Sequence, residues 1–181
     1  MINSGMQTNV YFVRHAQSDH DIQDEMTRPL TAQGMVDRQK VTQALQNIRI
    51  AAIYSSPYQR AYDTVQHLAE QNGLAIQTVA GFRERKVDDE WVRDFKAFSR
   101  RQWQDFNFKL TNGESLKEVQ ERNVAALFEI VTQHCGHNVV IGTHGTALST
   151  IINYFNPEFG YDDFWALIDK LPYVLCSALT S

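Results

Sequence analysis

Short apolar runs alternate along the chain with stretches whose apolar residues recur every three or four positions. Asn9 to Val13 is a β-branched and aromatic run that ends in Arg14-His15, which predicts a buried strand delivering two polar residues at its C-terminal end. Ala51 to Tyr54 and Leu74 to Val79 predict further strands. Val139-Val140-Ile141 repeats the first pattern and runs into Gly142-Thr143-His144-Gly145. Thr31 can cap a helix reaching to about Asn47, with Val41, Ala44, Leu45 and Ile48 on its later turns. Ser55-Ser56-Pro57 is a helix start. Tyr58, Ala61, Tyr62, Val65, Leu68 and Ala69 then trace one apolar stripe to Gly73, with Arg60 off the stripe in the first turn. A long helix is expected from Ser115 to about Cys135, between Gly113 and Gly136, and a shorter one from about Thr146 to Tyr154. A last strand is expected near Tyr173 to Leu179.

This alternation implies an α/β fold: a three-layer α/β/α sandwich with a mostly parallel central sheet. Phe82 to Phe108 does not fit the alternation. It is rich in charge and in rings, including Trp91, Phe95, Phe98, Trp103 and Phe106, and it predicts helices forming a small cap beside the sheet edge. The rings either pack the cap's own core or wall a substrate pocket.

At 181 residues with no repeat or linker-like stretch, the chain is expected to form one domain spanning 1–181. A net charge of -4 and a pI near 5.8 argue against the broad basic surface that nucleic-acid binding needs, although a local pocket can still be basic. Met1 to Thr8 holds no Lys, Arg or apolar run, so no secretory signal is expected, and no stretch is long enough to span a bilayer. Cys135 and Cys176 form no CxxC pair, which removes a disulfide framework or a thiolate zinc site. These readings place the chain in the cytoplasm, with no nucleic-acid or membrane partner; oligomeric state is not legible.

Two strands that each end in a histidine, and a helix after another strand that opens with an arginine, should bring three polar groups to one sheet edge, where α/β folds carry chemistry. Arg14-His15-Ala16-Gln17-Ser18 resembles the RHG motif of the histidine phosphatase superfamily, which includes phosphoglycerate mutases and many small-molecule phosphatases. The resemblance continues in order through Arg28-Pro29-Leu30-Thr31-Ala32-Gln33-Gly34, Ser55-Ser56-Pro57-Tyr58-Gln59-Arg60-Ala61, Glu84, Gly113-Glu114-Ser115 and Gly142-Thr143-His144-Gly145, covering most of the chain. It implies His15 as nucleophile, Arg14, Arg60 and His144 as phosphate ligands, and Glu84 as proton donor, with no cofactor and no metal.

Physical chemistry favours the same arrangement. A phosphate monoester near neutral pH is largely a dianion and repels anionic nucleophiles, so a neutral imidazole flanked by cations suits the attack. Two guanidinium forks disfavour protonation of His15 and match the phosphoryl oxygens better than a lysine point charge. Within Phe82-Arg83-Glu84-Arg85, Glu84 either protonates the departing oxygen or pairs with a neighbouring arginine; Asp88, Asp89 and Glu90 read as a solvated face.

Ser18 reads as a phosphate donor or a turn residue. The relatives' Gly after the nucleophile is Ala16 here, and their Asn six residues after it is Asp21, which should turn away from phosphate or meet a cationic part of the substrate. Glu114 reads as first-turn support for the helix that follows. His20, His67, His134 and His137 are dispersed, without an HExxH pattern or acidic cluster, and read as surface or structural.

The expected function is therefore hydrolysis of small phosphorylated metabolites through a phosphohistidine on His15. Three alternatives stand beside it: phosphoglycerate-mutase-like transfer to a bound alcohol, which the short chain disfavours; non-catalytic binding of phosphoproteins, which usually goes with loss of a core residue; and metal-assisted hydrolysis.

Overall fold

Strand β1 (Thr8–Arg14) takes its place beside β4 (Asn138–Thr143), and both are buried on both faces, which is why they read as unbroken apolar runs. The computed structural model describes residues 6–180; part of the N-terminal stretch considered above for a leader, 1–5, lies outside the described residues. β2 (Ile50–Ser55) and β3 (Ile76–Thr78) extend the sheet on the far side of β4, and β5 (Tyr173–Leu179) closes the other edge, in the order β3-β2-β4-β1-β5. All neighbours pair in parallel except β5, which runs antiparallel to β1.

One face of the sheet is covered by α1 (Ala32–Leu45) and α2 (Gln59–Asn72). Val41, Leu45, Val65 and Leu68 pack there against Val13, Ile53 and Val140. The opposite face is covered by α4 (Leu116–Gln133) and α5 (Gly145–Phe155), whose Leu127, Ile130, Leu148 and Ile151 meet Val10, Phe12, Val139 and Ile141. Successive residues of β4 thus feed opposite layers, as the two-residue strand period requires.

The predicted stop and start signals act locally. The Thr31 hydroxyl accepts from the Gly34 N–H at the start of α1, and Ser115 with Glu118 forms a reciprocal capping box on α4. Gly73 and Gly136 end α2 and follow α4 at φ 63° and 79°, left-handed values that other residues adopt only under strain.

Three expectations are corrected. α1 stops at Leu45, so Ile48 lies beyond it and Ala44 faces solvent. The 82–108 region holds one helix of any length, α3 (Phe95–Gln104), capped by Asp94, while residues 83–94, a charged run without an apolar period, form no regular element. The helix α6 (Tyr161–Ile168) was not anticipated; it buries only Phe164 and Leu167, too few positions for a period to show. α6 is what the cap rests on: Trp103 packs against Phe164 and Phe159 with ring centroids 5.7 and 5.9 Å apart. Phe98 is buried, in keeping with core packing, whereas Trp91 is 66% exposed.

The start of α1 is pressed onto the loop that follows β1. Thr31 N–H donates to the Gln17 carbonyl at 3.0 Å, and a Cβ on Gly34 would lie 2.2 Å from that same oxygen. Gly34→Ala should therefore destabilise the protein by about 1–3 kcal/mol through overpacking. Urea unfolding measures this, and a wild-type midpoint would show that the contact has slack.

Candidate active site

The register sets the site. Arg14 stands opposite Thr143, and Ser55 opposite Gly142, so β1, β4 and β2 end level and release their next residues at one edge. His15 N–H donates to the Thr143 carbonyl at 3.1 Å, extending the ladder by one step. Its ring Nδ1 lies 2.7 Å from the Ala16 carbonyl oxygen. A carbonyl only accepts, so Nδ1 carries the hydrogen and Nε2 is left with a free lone pair.

His144 immediately precedes α5 and is fully buried, its ring 5.4 Å from that of His15 in an edge-on arrangement. Its Nε2 lies 2.8 Å from the Ser56 hydroxyl, and the Tyr58 ring covers it from another side with centroids 5.3 Å apart.

The two arginines are buried and engaged in different ways. Arg14 Nη1 donates to the carbonyls of Ile168 at 2.6 Å and Lys170 at 2.8 Å, so the end of α6 holds the guanidinium in place. Arg60 is 3% exposed even though it lies off the apolar stripe. Its Nη1 donates to the Glu25 carbonyl and its Nη2 to the Glu25 carboxylate, both at 2.7 Å. The second carboxylate oxygen of Glu25 accepts from Arg28 at 2.8 Å, so one carboxylate bridges two guanidiniums.

Glu84 accepts three backbone N–H bonds, from Arg85 at 2.8 Å, Thr146 at 3.0 Å and Ala147 at 3.1 Å. The last two are free N–H groups of the first turn of α5, whose dipole favours a negative charge there. The arginines beside it turn away: Arg83 pairs with Glu114, and Arg85 lies over the faces of Phe95 and Phe98 and donates to Gln102. Oε1 of Glu84 takes two of the three bonds and Oε2 takes one, which leaves Oε2 room for a further proton or partner.

Arg14, His15, Arg60 and Glu84 line one cavity of about 750 Å³, and the buried His144 ring lies edge-on beside His15. Burial, then the charges of Arg60 and Arg14, push the His15 imidazole well below its ordinary pKa of 6.5. Burial does the same to His144, with help from Arg60, His15 and Arg14. Burial pulls Arg14 down to about 10 even though Glu84 and Asp169 favour its charge.

Several neighbours had no role assigned from the sequence. Glu25 reaches the site from a loop whose composition carries no periodic signal, while Arg28 and Ser56 stood in stretches that carry the family resemblance but were given no part in the site. Ser18 is 3% exposed, lines the cavity and has no partner for its hydroxyl among the described residues. His20, expected on the surface or in a structural role, is exposed yet lines the cavity, because the loop carrying it folds over the pocket. Trp91 and Phe95 line it as well, so these two rings follow the pocket-wall reading.

Asp21 is exposed and does not line the cavity. Glu114 sits outside the helix it was expected to support: it precedes the Ser115 cap and binds Arg122 and Arg83. His67, His134 and His137 bond to Thr42, Tyr54 and the Cys135 carbonyl. Among the described residues no group of three or more His, Cys, Asp or Glu side chains is placed to hold a metal ion, and no helix is long and apolar enough to cross a membrane.

Comparison with known proteins adds sequence and fold likeness. The family model described as histidine phosphatase superfamily (branch 1) matches residues 10–173. Phosphoglycerate mutase-like protein 4 of Arabidopsis thaliana is 27% identical over 164 residues, covering 82% of this chain and 71% of the relative. Putative phosphoserine phosphatase 2 of Hydrogenobacter thermophilus is 25% identical over 168 residues, covering 86% and 82%. The native structure of a mycobacterial glucosyl-3-phosphoglycerate phosphatase superposes with a TM-score of 0.71 at 23% identity, over 82% of this chain and 79% of that one, which speaks to the fold.

The depressed histidines set a pH dependence of stability. His15 and His144 titrate near 6.5 when unfolded and well below it when folded, so in that window the unfolded chain binds more protons. Their contribution is complete above pH 6.5 and is lost as the pH falls, at up to about 1.4 kcal/mol per pH unit for each ring. Denaturant unfolding between pH 7.5 and 5 should follow this slope, and His144→Gln should flatten it; an unchanged slope in the variant would speak against a buried neutral ring.

Proposed function

Since the chain belongs to the histidine phosphatase superfamily, branch 1, we propose that it is a metal-independent phosphomonoesterase that hydrolyses small phosphorylated metabolites through a phosphohistidine on His15. One observation carries the reading. Arg14 Nε, Ser18 Oγ and His144 Nδ1 are buried around His15 without a hydrogen-bond partner among the described residues. Buried polar groups are rarely left unmet, and three such atoms on residues beside one nucleophile suit an anion that arrives with the substrate.

In the reaction, Glu84 takes up a proton at Oε2 when the anionic ester binds beside it, Nε2 of His15 attacks phosphorus while the P–O bond to the alcohol breaks, and Glu84 gives that proton to the departing oxygen. Water then gives a proton to the Glu84 carboxylate and attacks phosphorus, the P–N bond breaks, and inorganic phosphate and neutral His15 are regenerated. Arg14, Arg60 and His144 hold the equatorial oxygens, as preorganised donors in a dry site do. Arg60 takes up this role once the phosphoryl group displaces the carboxylate of Glu25, which is 48% exposed and free to move outward.

A volume of about 750 Å³ suits a small molecule. The names of the compared phosphatases, for phosphoserine and glucosyl-3-phosphoglycerate, point to small esters of this kind. Cys135 and Cys176 are free thiols, which supports a reducing, cytoplasmic setting.

Turnover of an aryl phosphate should vanish in His15→Ala, and rapid quenching of the wild type should trap phosphate on residue 15; brisk catalysis without that adduct would end the proposal. Supplied with 3-phosphoglycerate and its bisphosphate primer, the protein should release phosphate faster than it isomerises the substrate, and the opposite order would make it a mutase. Glu84→Gln should slow alkyl phosphates more than aryl phosphates, because only the poorer leaving groups need the proton early. Equal slowing would assign the proton to another group.

A further inference from the structure

Ser56 lies at the end of β2, fully buried, its own N–H tied to the Gly142 carbonyl at 2.9 Å. Its hydroxyl has two neighbours. The Tyr58 N–H donates to it at 3.2 Å, and His144 Nε2 sits 2.8 Å away. A hydroxyl owns one hydrogen, and among the described residues His144 Nε2 is the one group here that can accept it.

The two neutral forms of His144 therefore differ in how many buried groups they satisfy. With the hydrogen on Nε2, the ring donates to Ser56, the Ser56 hydrogen has no acceptor, and the Nδ1 lone pair is unmet as well. With the hydrogen on Nδ1, Ser56 donates to Nε2 and only the Nδ1–H is unmet, since Nδ1 has no partner. The second form leaves one buried group unsatisfied instead of two.

We infer that Ser56 is a positioning residue: its hydroxyl holds His144 in the Nδ1–H form, so that the imidazole presents a donor, and not a lone pair, to the phosphoryl oxygens beside His15. The catalytic consequence rests on the phosphomonoesterase reading, but the tautomer itself does not. Tyr58 contributes twice, since its N–H occupies a lone pair of Ser56 and its ring packs against His144. Desolvation disfavours the doubly protonated ring, which keeps the choice between the two neutral forms the relevant one. Without the serine hydroxyl nothing on this side of the ring selects Nδ1–H, and the Nε2–H form would turn a lone pair toward the anion.

The test is a long-range proton–nitrogen correlation spectrum of the whole protein with labelled histidine, assigned by comparison with His144→Gln. The wild type without ligand should show His144 with a protonated Nδ1 and a bare Nε2. A protonated Nε2 in the wild type overturns the inference whatever the activity. In Ser56→Ala the Nε2–H form should appear, inorganic phosphate should bind at least about tenfold more weakly, and kcat for an aryl phosphate should fall by on the order of 10²-fold, the usual loss of one oxyanion donor. An unchanged tautomer with unchanged phosphate affinity in that variant also overturns it. Should Ser56→Ala not fold, the wild-type spectrum alone decides. A wild type with the stated tautomer but no turnover would defeat the phosphomonoesterase reading and leave the inference about Ser56 standing.

Discussion

Parallel pairing of β1 with β4, with Arg14 opposite Thr143, is the constraint on which the rest of the site depends. Parallel strands leave the sheet at the same edge, so the residues that follow them, His15 and His144, arrive side by side without any loop having to carry them there. β2 joins at the same level through Ser55 and Gly142, and a Cβ on Gly142 would come within 2.8 Å of the Ser55 hydroxyl. His15, His144 and Ser56 thus hang from the buried central strands of the sheet. Rigid mounting suits a site whose donors must be preorganised toward charge that develops only in the transition state.

That edge is costly to build, because it gathers buried guanidiniums and buried imidazoles with little water to screen them. The fold offsets the cost with backbone oxygens and one half-exposed carboxylate. Carbonyls at the end of α6 take Arg14, and Glu25 takes Arg60 together with Arg28. The imidazoles settle the balance by staying neutral, and neutrality is what a nitrogen nucleophile needs. Electrostatics that look unfavourable for folding therefore coincide with those that favour attack on an anionic ester.

The cap and α6 belong to the same design. Trp103 and Phe164 join α3 to α6, and α6 in turn grips Arg14, so packing in the cap bears on the position of a guanidinium 153 residues earlier in the chain. Glu84 enters from the irregular segment before α3 but is fixed by N–H groups of α5, so its place is set by a helix end and not by its own loop.

The strands, the capped helix starts, the glycine stops and the histidines and arginine at strand and helix ends were all legible in the amino-acid order, because each is a local matter of period, cap or backbone freedom. Family likeness singled out His15 among them as the expected nucleophile. Other features depended on the assembled structure. Arg60 lies off an apolar stripe yet is buried, since a loop from elsewhere covers it. Glu25, Arg28 and Ser56 carry no periodic mark, and their meaning comes from partners 3 to 88 residues away in the chain. Glu84 was found as a motif residue, but whether it would pair with an arginine beside it was decided by helix α5. Local order chooses elements and their ends; which buried donor meets which acceptor is a long-range question, answered only when strands from distant parts of the chain lock into register.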